Sequence, residues 1–273
     1  MNKKTLVAGP WVGEFGWELF AWQAYIRALS RQFEKTIVIS RENSKALYED
    51  FCDQFVAYNP PNNQADSFFM YDLDINLALK DTVRSNKVVL NKNTSIIIPK
   101  RIGNPPHTHF DEEVSFGKYT VKPEYIRFGK EVNNKYDYVF HIRNRELRKE
   151  DNWPNNNWHE LLRMLDYPKV ACVGTFRESG HIEGTDDLRG ISLSDTFDVL
   201  RNTKCIFGPS SGPIHLSSLC GCPHVVWGDQ SKSLNRHYTN WNPLGTKVLF
   251  LDRFLYHPPP EYVFDKFKKW DLK

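Results

Sequence analysis

The chain has 273 residues, with 36 lysines and arginines against 33 aspartates and glutamates, a formal charge of +3. That excess is too small for a nucleic-acid coat or a polybasic membrane anchor, and 40% hydrophobic and 14% aromatic residues exclude disorder. No apolar run approaches the ~18 residues of a membrane span, the first apolar stretch is too short for a signal peptide, and five scattered cysteines make no disulfide framework. A cytoplasmic protein of one large or two small domains is predicted.

In chain order, the short apolar run 5–9 predicts a first strand. Residues 10–16, with Pro10, Gly13 and Gly16, predict a turn. From Trp17 the apolar positions Trp17, Phe20, Ala21, Ala24 and Ala28 recur at a helical period. The β-branched run 36–40 predicts a second strand, so the chain opens as a βαβ unit with a parallel sheet. Residues 58–66 read as a Pro/Asn loop, and 87–90 and 95–98 as strands. The segment 101–121, with Pro105, Pro106, His107 and His109, has no clear period and reads as the end of a first lobe. The polar stretch 129–135 reads as a linker.

The second half alternates strand and helix. Strands are predicted at 136–142, 169–173, 204–207 and 224–227, and helices at 157–165, 194–201 and 213–220. The tail 261–273 spaces Tyr262, Phe264, Phe267 and Trp270 roughly as a helix. The domain reading is 1–130 as a first lobe, 131–255 as a second, and 256–273 as a C-terminal helix able to cross back to the first.

Three segments carry chemistry. In the run 205–216, an apolar strand enters the turn Ser210-Ser211-Gly212, and Pro213 then opens a helix that contains His215. First-turn N–H groups lack intrahelical partners and the dipole end is positive, so such a terminus suits phosphate. An ordinary capped helix reads equally well. In the run 141–149, His141, Arg143, Arg145, Arg148 and Lys149 follow a strand at the ligand edge of an open α/β sheet. Arginine there can grip a pyrophosphate, although a solvated charged loop is the commoner fate of such runs. The third segment is Gly13-Glu14-Phe15-Gly16, followed by Trp17. Glu14 is either a general base at the mouth of the first strand or a first-turn carboxylate complementing the helix dipole.

Other features read as structural. Cys220 and Cys222 are too close and lack a partner pair for a metal site. Trp153 and Trp158 read as packing around a helix start, and Asp72-Leu73-Asp74 as incidental. The sequence has no GxSxG turn, HExxH, P-loop lysine or GxGxxG.

Together the segments resemble the heptosyltransferase-like glycosyltransferases of glycosyltransferase family 9. The resemblance lies in the run 187–228, with its Ser-Gly-Pro-x-His-Leu stretch ahead of a Gly-x-Pro-x-Val strand. It extends to 138–162, with its basic loop, Trp153-Pro154 and Trp158, and to the Gly13–Gly16 loop. The resemblance implies an α/β fold of GT-B type, two facing Rossmann-like lobes with parallel sheets. It also implies metal-independent, inverting transfer from a nucleotide-diphosphate sugar, with no further cofactor. Carried over, Glu14 is the general base, with Gly13, Phe15, Gly16 and Trp17 on the acceptor side. Arg143, Arg145, Lys149, Ser210, Ser211, Gly212 and Pro213 face the diphosphate, and His141, Gly174, Thr175 and His215 lie near the donor nucleotide or sugar. The chain has Ser210 where the family commonly has Asp, and Glu14 where it has Asp, so donor sugar and acceptor stay open. The acceptor is a glycan, a lipid-linked glycan or a modified DNA base. The rival readings are a GDP-sugar enzyme of fucosyltransferase type, which His141-Ile142-Arg143 also resembles, a glycosyltransferase of hydroxymethylated DNA bases, and a nucleotide- or glycan-binding protein without turnover.

Overall fold

The computed structural model describes residues 4–11, 13–59, 75–85, 87–99, 113–133, 135–229 and 235–270. Asp72, Asp74, His107 and His109 lie outside them. The chain divides into two compact units, Met1–Glu124 and Tyr125–Lys273. Each is a parallel sheet flanked by helices, the Rossmann-like architecture of a GT-B protein.

In the first unit, β1 (Thr5–Ala8), β2 (Lys35–Ser40), β3 (Gln54–Ala57) and β4 (Thr94–Ile97) lie in the order β3-β2-β1-β4. Thr5 pairs with Lys35 on one side and Thr94 on the other. β1 is buried throughout and β2 nearly so, which is why both read as continuous apolar runs rather than alternating ones. After β1 the chain enters α1 (Phe15–Trp17), passes through a π turn over Glu18–Trp22, and continues as α2 (Gln23–Ser30). A 3₁₀ turn follows β2 over Glu42–Leu47, and α3 spans Ile75–Arg84. Val7, Ile37, Ile39, Val56, Leu79 and Val88 form one core cluster.

Two expectations for this half need correction. Residues 87–90 are not a strand. Val88 is buried, but Val89 is 74% exposed and Leu90 also faces solvent, so this apolar triplet anchors one side chain and joins no strand among the described residues. The patternless segment contains a hairpin, β5 (Val114–Phe116) and β6 (Tyr119–Val121), turning at Gly117-Lys118. Its alternation, with Tyr119 and Val121 buried and Thr120 exposed, is too short to show as a period.

The second unit orders its strands β12-β11-β10-β7-β8-β9. These are β7 (Tyr138–Phe140), β8 (Val170–Cys172), β9 (Asp186–Asp187), β10 (Cys205–Pro209), β11 (His224–Trp227) and β12 (Val248–Leu251). The helices are α4 (Asn155–Met164), α5 (Leu193–Arg201), α6 (Gly212–Cys220) and α7 (Pro260–Lys269). Trp153 and Trp158 pack against each other and against Trp227 with centroids 4.8–5.5 Å apart, as the reading of the first two as packing residues expects. The stretch read as a linker is fastened to the end of α5: the Lys130 N–H donates to Asp198 Oδ1 at 2.7 Å and the Val132 N–H to Asn202 Oδ1 at 2.9 Å. The tail helix α7 packs on the second unit. Phe267 meets Phe207 at 4.8 Å and Tyr138 at 5.6 Å, and Val263 is fully buried in the same core. All five cysteines are free thiols.

Candidate functional site

In the second unit the chain leaves β7 toward β8 and β9, then returns to the other side of β7 for β10, β11 and β12. The order reverses between β7 and β10, and the carboxyl ends of strands at such a reversal are where open α/β sheets take ligands. The two strongest sequence signals emerge there side by side: the basic run after β7 and the Ser210–Pro213 turn after β10. The His141 N–H donates to Phe207 O at 2.9 Å, and Phe140 pairs with Phe207 in the ladder.

On the β10 side, Ser211 is the N-cap of α6, but its Oγ donates back to Pro209 O at 2.8 Å and makes no capping hydrogen bond to the helix. Pro213 lies in the first turn and Gly221 ends the helix in a left-handed conformation. Ser210 is buried. Its N–H donates to Trp227 O at 2.8 Å and its Oγ lies 3.3 Å from His237 Nε2. His215 stacks on His237 at 5.0 Å and meets Trp241 edge-on at 4.5 Å, and among the described residues its Nδ1 has no hydrogen-bond partner. Burial holds both imidazoles well below their ordinary pKa, so they are neutral rings.

On the β7 side, His141 is buried with Nδ1 3.1 Å from Val173 O. A carbonyl only accepts, so Nδ1 carries the proton, and burial pulls the pKa down to about 4. Arg143 is also buried. Its Nη1 donates to Arg148 O at 2.9 Å and to Asn152 Oδ1, and its Nη2 to Leu147 O at 2.9 Å. Arg145 forms an ion pair with Glu178 at 3.6 Å, Arg148 with Asp151 at 3.4 Å, and Lys149 is exposed.

The segment after β8 closes this side. The Asn144 N–H donates to Glu178 O at 2.9 Å and the Gly180 N–H to Ile142 O at 2.7 Å, an antiparallel bridge of Arg143 with Ser179. Gly174 has φ +131°, and a Cβ there would fall 2.0 Å from Ser179 Oγ and 3.2 Å from His141 Nδ1. Thr175 is exposed, with its Oγ1 accepting from the Glu178 N–H at 3.2 Å. Phe176 is 69% exposed and lies over Gly190, with the Arg189 guanidinium 5.5 Å from its centroid. Asp187 grips Arg189 through both carboxylate oxygens at 2.8 Å, which drops its own pKa to about 2.

In the first unit Glu14 is the N-cap of α1, half-buried, and its carbonyl accepts the Glu18 N–H at 3.1 Å. Gly13 and Gly16 are buried, and Phe15 and Trp17 half-buried. Sequence reading passed over Glu18. Its carboxylate is fully buried: Oε1 accepts from Ser40 Oγ at 2.5 Å and Tyr48 OH at 2.7 Å, and Oε2 from Ser44 Oγ at 2.7 Å. Burial raises its pKa, against the three hydroxyls and the nearby Arg41, which lower it. The signal was there to find, a single acid ahead of the apolar run Leu19–Trp22. Asn152, which bridges the basic segment, carries no such signal.

Among the described residues no group of three or more His, Cys, Asp or Glu side chains is placed to hold a metal ion, and no helix is long and apolar enough to cross a membrane.

No protein-family model and no curated protein matches the sequence. Solved structures do match its fold. The ADP-heptose lipopolysaccharide heptosyltransferase II of E. coli aligns over 97% of this chain and 97% of its own, with a TM-score of 0.59 and 12% identity. A glycosyl transferase family 9 protein from Veillonella parvula aligns over 99% and 92%, at 0.58 and 10%. The dodecameric iron-containing heptosyltransferase TibC, solved with ADP-D-beta-D-heptose, aligns over 93% of this chain and 64% of its own, at 0.51 and 14%. At these identities the likeness establishes the fold: the chain has the GT-B architecture that these glycosyltransferases share.

Proposed function

We propose that the protein is a metal-independent, inverting glycosyltransferase that moves a sugar from a nucleotide-diphosphate donor to an acceptor hydroxyl. The observation that carries this reading is the pairing, at the strand-order reversal of the second unit, of a basic segment with a helix N-terminus whose N-cap side chain makes no capping hydrogen bond. A departing nucleoside diphosphate develops negative charge as the glycosidic bond breaks. Amide N–H groups at the start of α6 and the cations of 145–149 are the groups that stabilise such charge without a metal. Inversion needs a base to take the proton of the attacking hydroxyl, and Glu14 in the first unit is our candidate. Gly13, Phe15, Gly16 and Trp17 then belong to the acceptor side, and His141, Gly174, Thr175 and His215 to the surroundings of the donor nucleotide and sugar. The acceptor is a glycan, a lipid-linked glycan or a modified DNA base. Five free thiols suit a reducing compartment, and we place the enzyme in the cytoplasm.

The test is calorimetric titration with ADP, GDP and UDP. We expect at least one to bind, and Gly212→Val, which crowds the amides at the start of α6, to abolish that binding with little change in melting temperature. Failure of all three to bind would overturn the reading. Tight binding of GDP alone would favour a GDP-sugar donor.

A further inference from the structure

Arg143 lies three residues beyond the end of β7, at the ligand edge of the sheet, which makes it the obvious anion ligand. Its surroundings give it a different task. The side chain is 2% exposed, and its guanidinium is the meeting point of Leu147 O, Arg148 O and Asn152 Oδ1. Two consecutive carbonyls converge on one cation only if the chain curls back around it, and the curl is visible at Arg148, with φ 52° and ψ 52° in the left-handed region. Asn152 completes the net. Its Oδ1 accepts the Arg145 N–H at 3.1 Å as well as Arg143, and its Nδ2 donates to Arg145 O at 2.9 Å. The next residue, Trp153, is nailed into the core and donates from Nε1 to Pro258 O at 2.8 Å. One buried cation and one amide thus fix the path of residues 145–152, while the Arg148 side chain stays 54% exposed and Lys149 exposed on that loop.

We infer that Arg143 and Asn152 are positioning residues. They shape the loop so that Arg145, Arg148 and Lys149 meet the diphosphate, and Arg143 itself does not. This rests on the nucleotide-diphosphate reading of the site. A direct ligand and an internal strut differ in what Asn152 does, because Asn152 offers an anion no charge.

The experiment titrates ADP, GDP and UDP into the wild type, Asn152→Ala, Arg143→Ala and the double variant, and follows hydrogen exchange at the Arg145 amide. Asn152→Ala is expected to weaken nucleotide binding about as much as Arg143→Ala, on the order of 10–100-fold, the scale of losing charge-assisted contacts. The double variant should bind no worse than either single one. Arg145 amide exchange should accelerate in all three. Normal binding by Asn152→Ala alongside a loss in Arg143→Ala would overturn the inference, as would multiplied losses in the double variant. If the alanine variants fail to fold, Asn152→Ser takes the place of Asn152→Ala and is read the same way. Rapid Arg145 exchange in the wild type would sink the strut while leaving the donor reading intact. A wild type that binds no nucleotide would overturn both the donor reading and the ligand assigned to this loop.

Discussion

Glu14 and Glu18 stand one helical turn apart and divide two tasks that a carboxylate can perform. Glu18 is locked among Ser40, Ser44 and Tyr48 and has no exposed surface, so it holds α1 and the π turn against the end of β2. Glu14 is half-buried at the start of α1. If it is the base, Glu14→Gln lowers kcat by about 10²–10⁴-fold and changes donor affinity by less than ~1 kcal/mol. If it merely complements the helix dipole, turnover stays normal and stability drops by ~0.3–1 kcal/mol. We expect the first outcome. Measuring kcat, donor Kd and melting temperature on this one variant separates the two, and near-normal kcat would remove Glu14 from the mechanism. At this scale the sequence was legible where a residue type is rare in its setting, as with a carboxylate between two glycines or an arginine after a strand. It was silent on Asn152 and Ser179, whose roles come from contacts that the fold creates.

The elements that build the ligand edge meet through backbone as much as side chain. Gly174 is the tightest point. Its φ of +131° and the 2.0 Å approach to Ser179 Oγ leave no room for a methyl group, and His141 Nδ1 stands just beyond. Gly174→Ala should therefore cost about 1–3 kcal/mol through backbone strain and a forced shift of Ser179. The measurement is urea unfolding, with nucleotide affinity followed in parallel. Unchanged stability would mean that the bridge between Arg143 and Ser179 is slack. Four strands of the second unit, β7, β8, β10 and β11, were readable in the sequence because their near-complete burial makes them apolar runs, whereas the edge strand β12, only half-buried at Val248 and Leu249, was passed over. The β5–β6 hairpin, three residues a side, and β9, two residues long, were not readable, since so short a strand has no period. The tryptophans at 153 and 158 read as packing from their place at a helix start, and with Trp227 they form one cluster in the core of the second unit.

Across the whole molecule, buried neutral histidines tie stability to pH. His141 and His224 both have their pKa lowered by burial to about 4 in the folded protein, against 6.5 when exposed. Between these values the unfolded chain binds more protons than the folded one, so stability is fully present above pH 6.5 and is lost as pH falls toward 4. At ~1.4 kcal/mol per unit, each can withdraw on the order of 3 kcal/mol by pH 4, and His215 and His237 act in the same direction. Urea unfolding at pH 7.0 and 4.5 should show a midpoint that drops sharply with acid, and His224→Asn should shrink that drop. A midpoint insensitive to pH would mean these rings are hydrated.

The tail helix α7 carries a consequence for the order of assembly during synthesis. Phe267 closes on Tyr138 and Phe207, and Pro258 O accepts a hydrogen bond from the Trp153 indole N–H at the root of the basic loop. His257 Nε2 also lies 2.6 Å from Glu150 O in that same loop. Strands β7 and β10 therefore leave the ribosome well before the residues that seal their core. Until residue 267 is free of the exit tunnel, a nascent chain lacks the ring that closes on Tyr138 and Phe207 and the contacts that anchor the basic loop, and apolar surface exposed in that window is aggregation-prone.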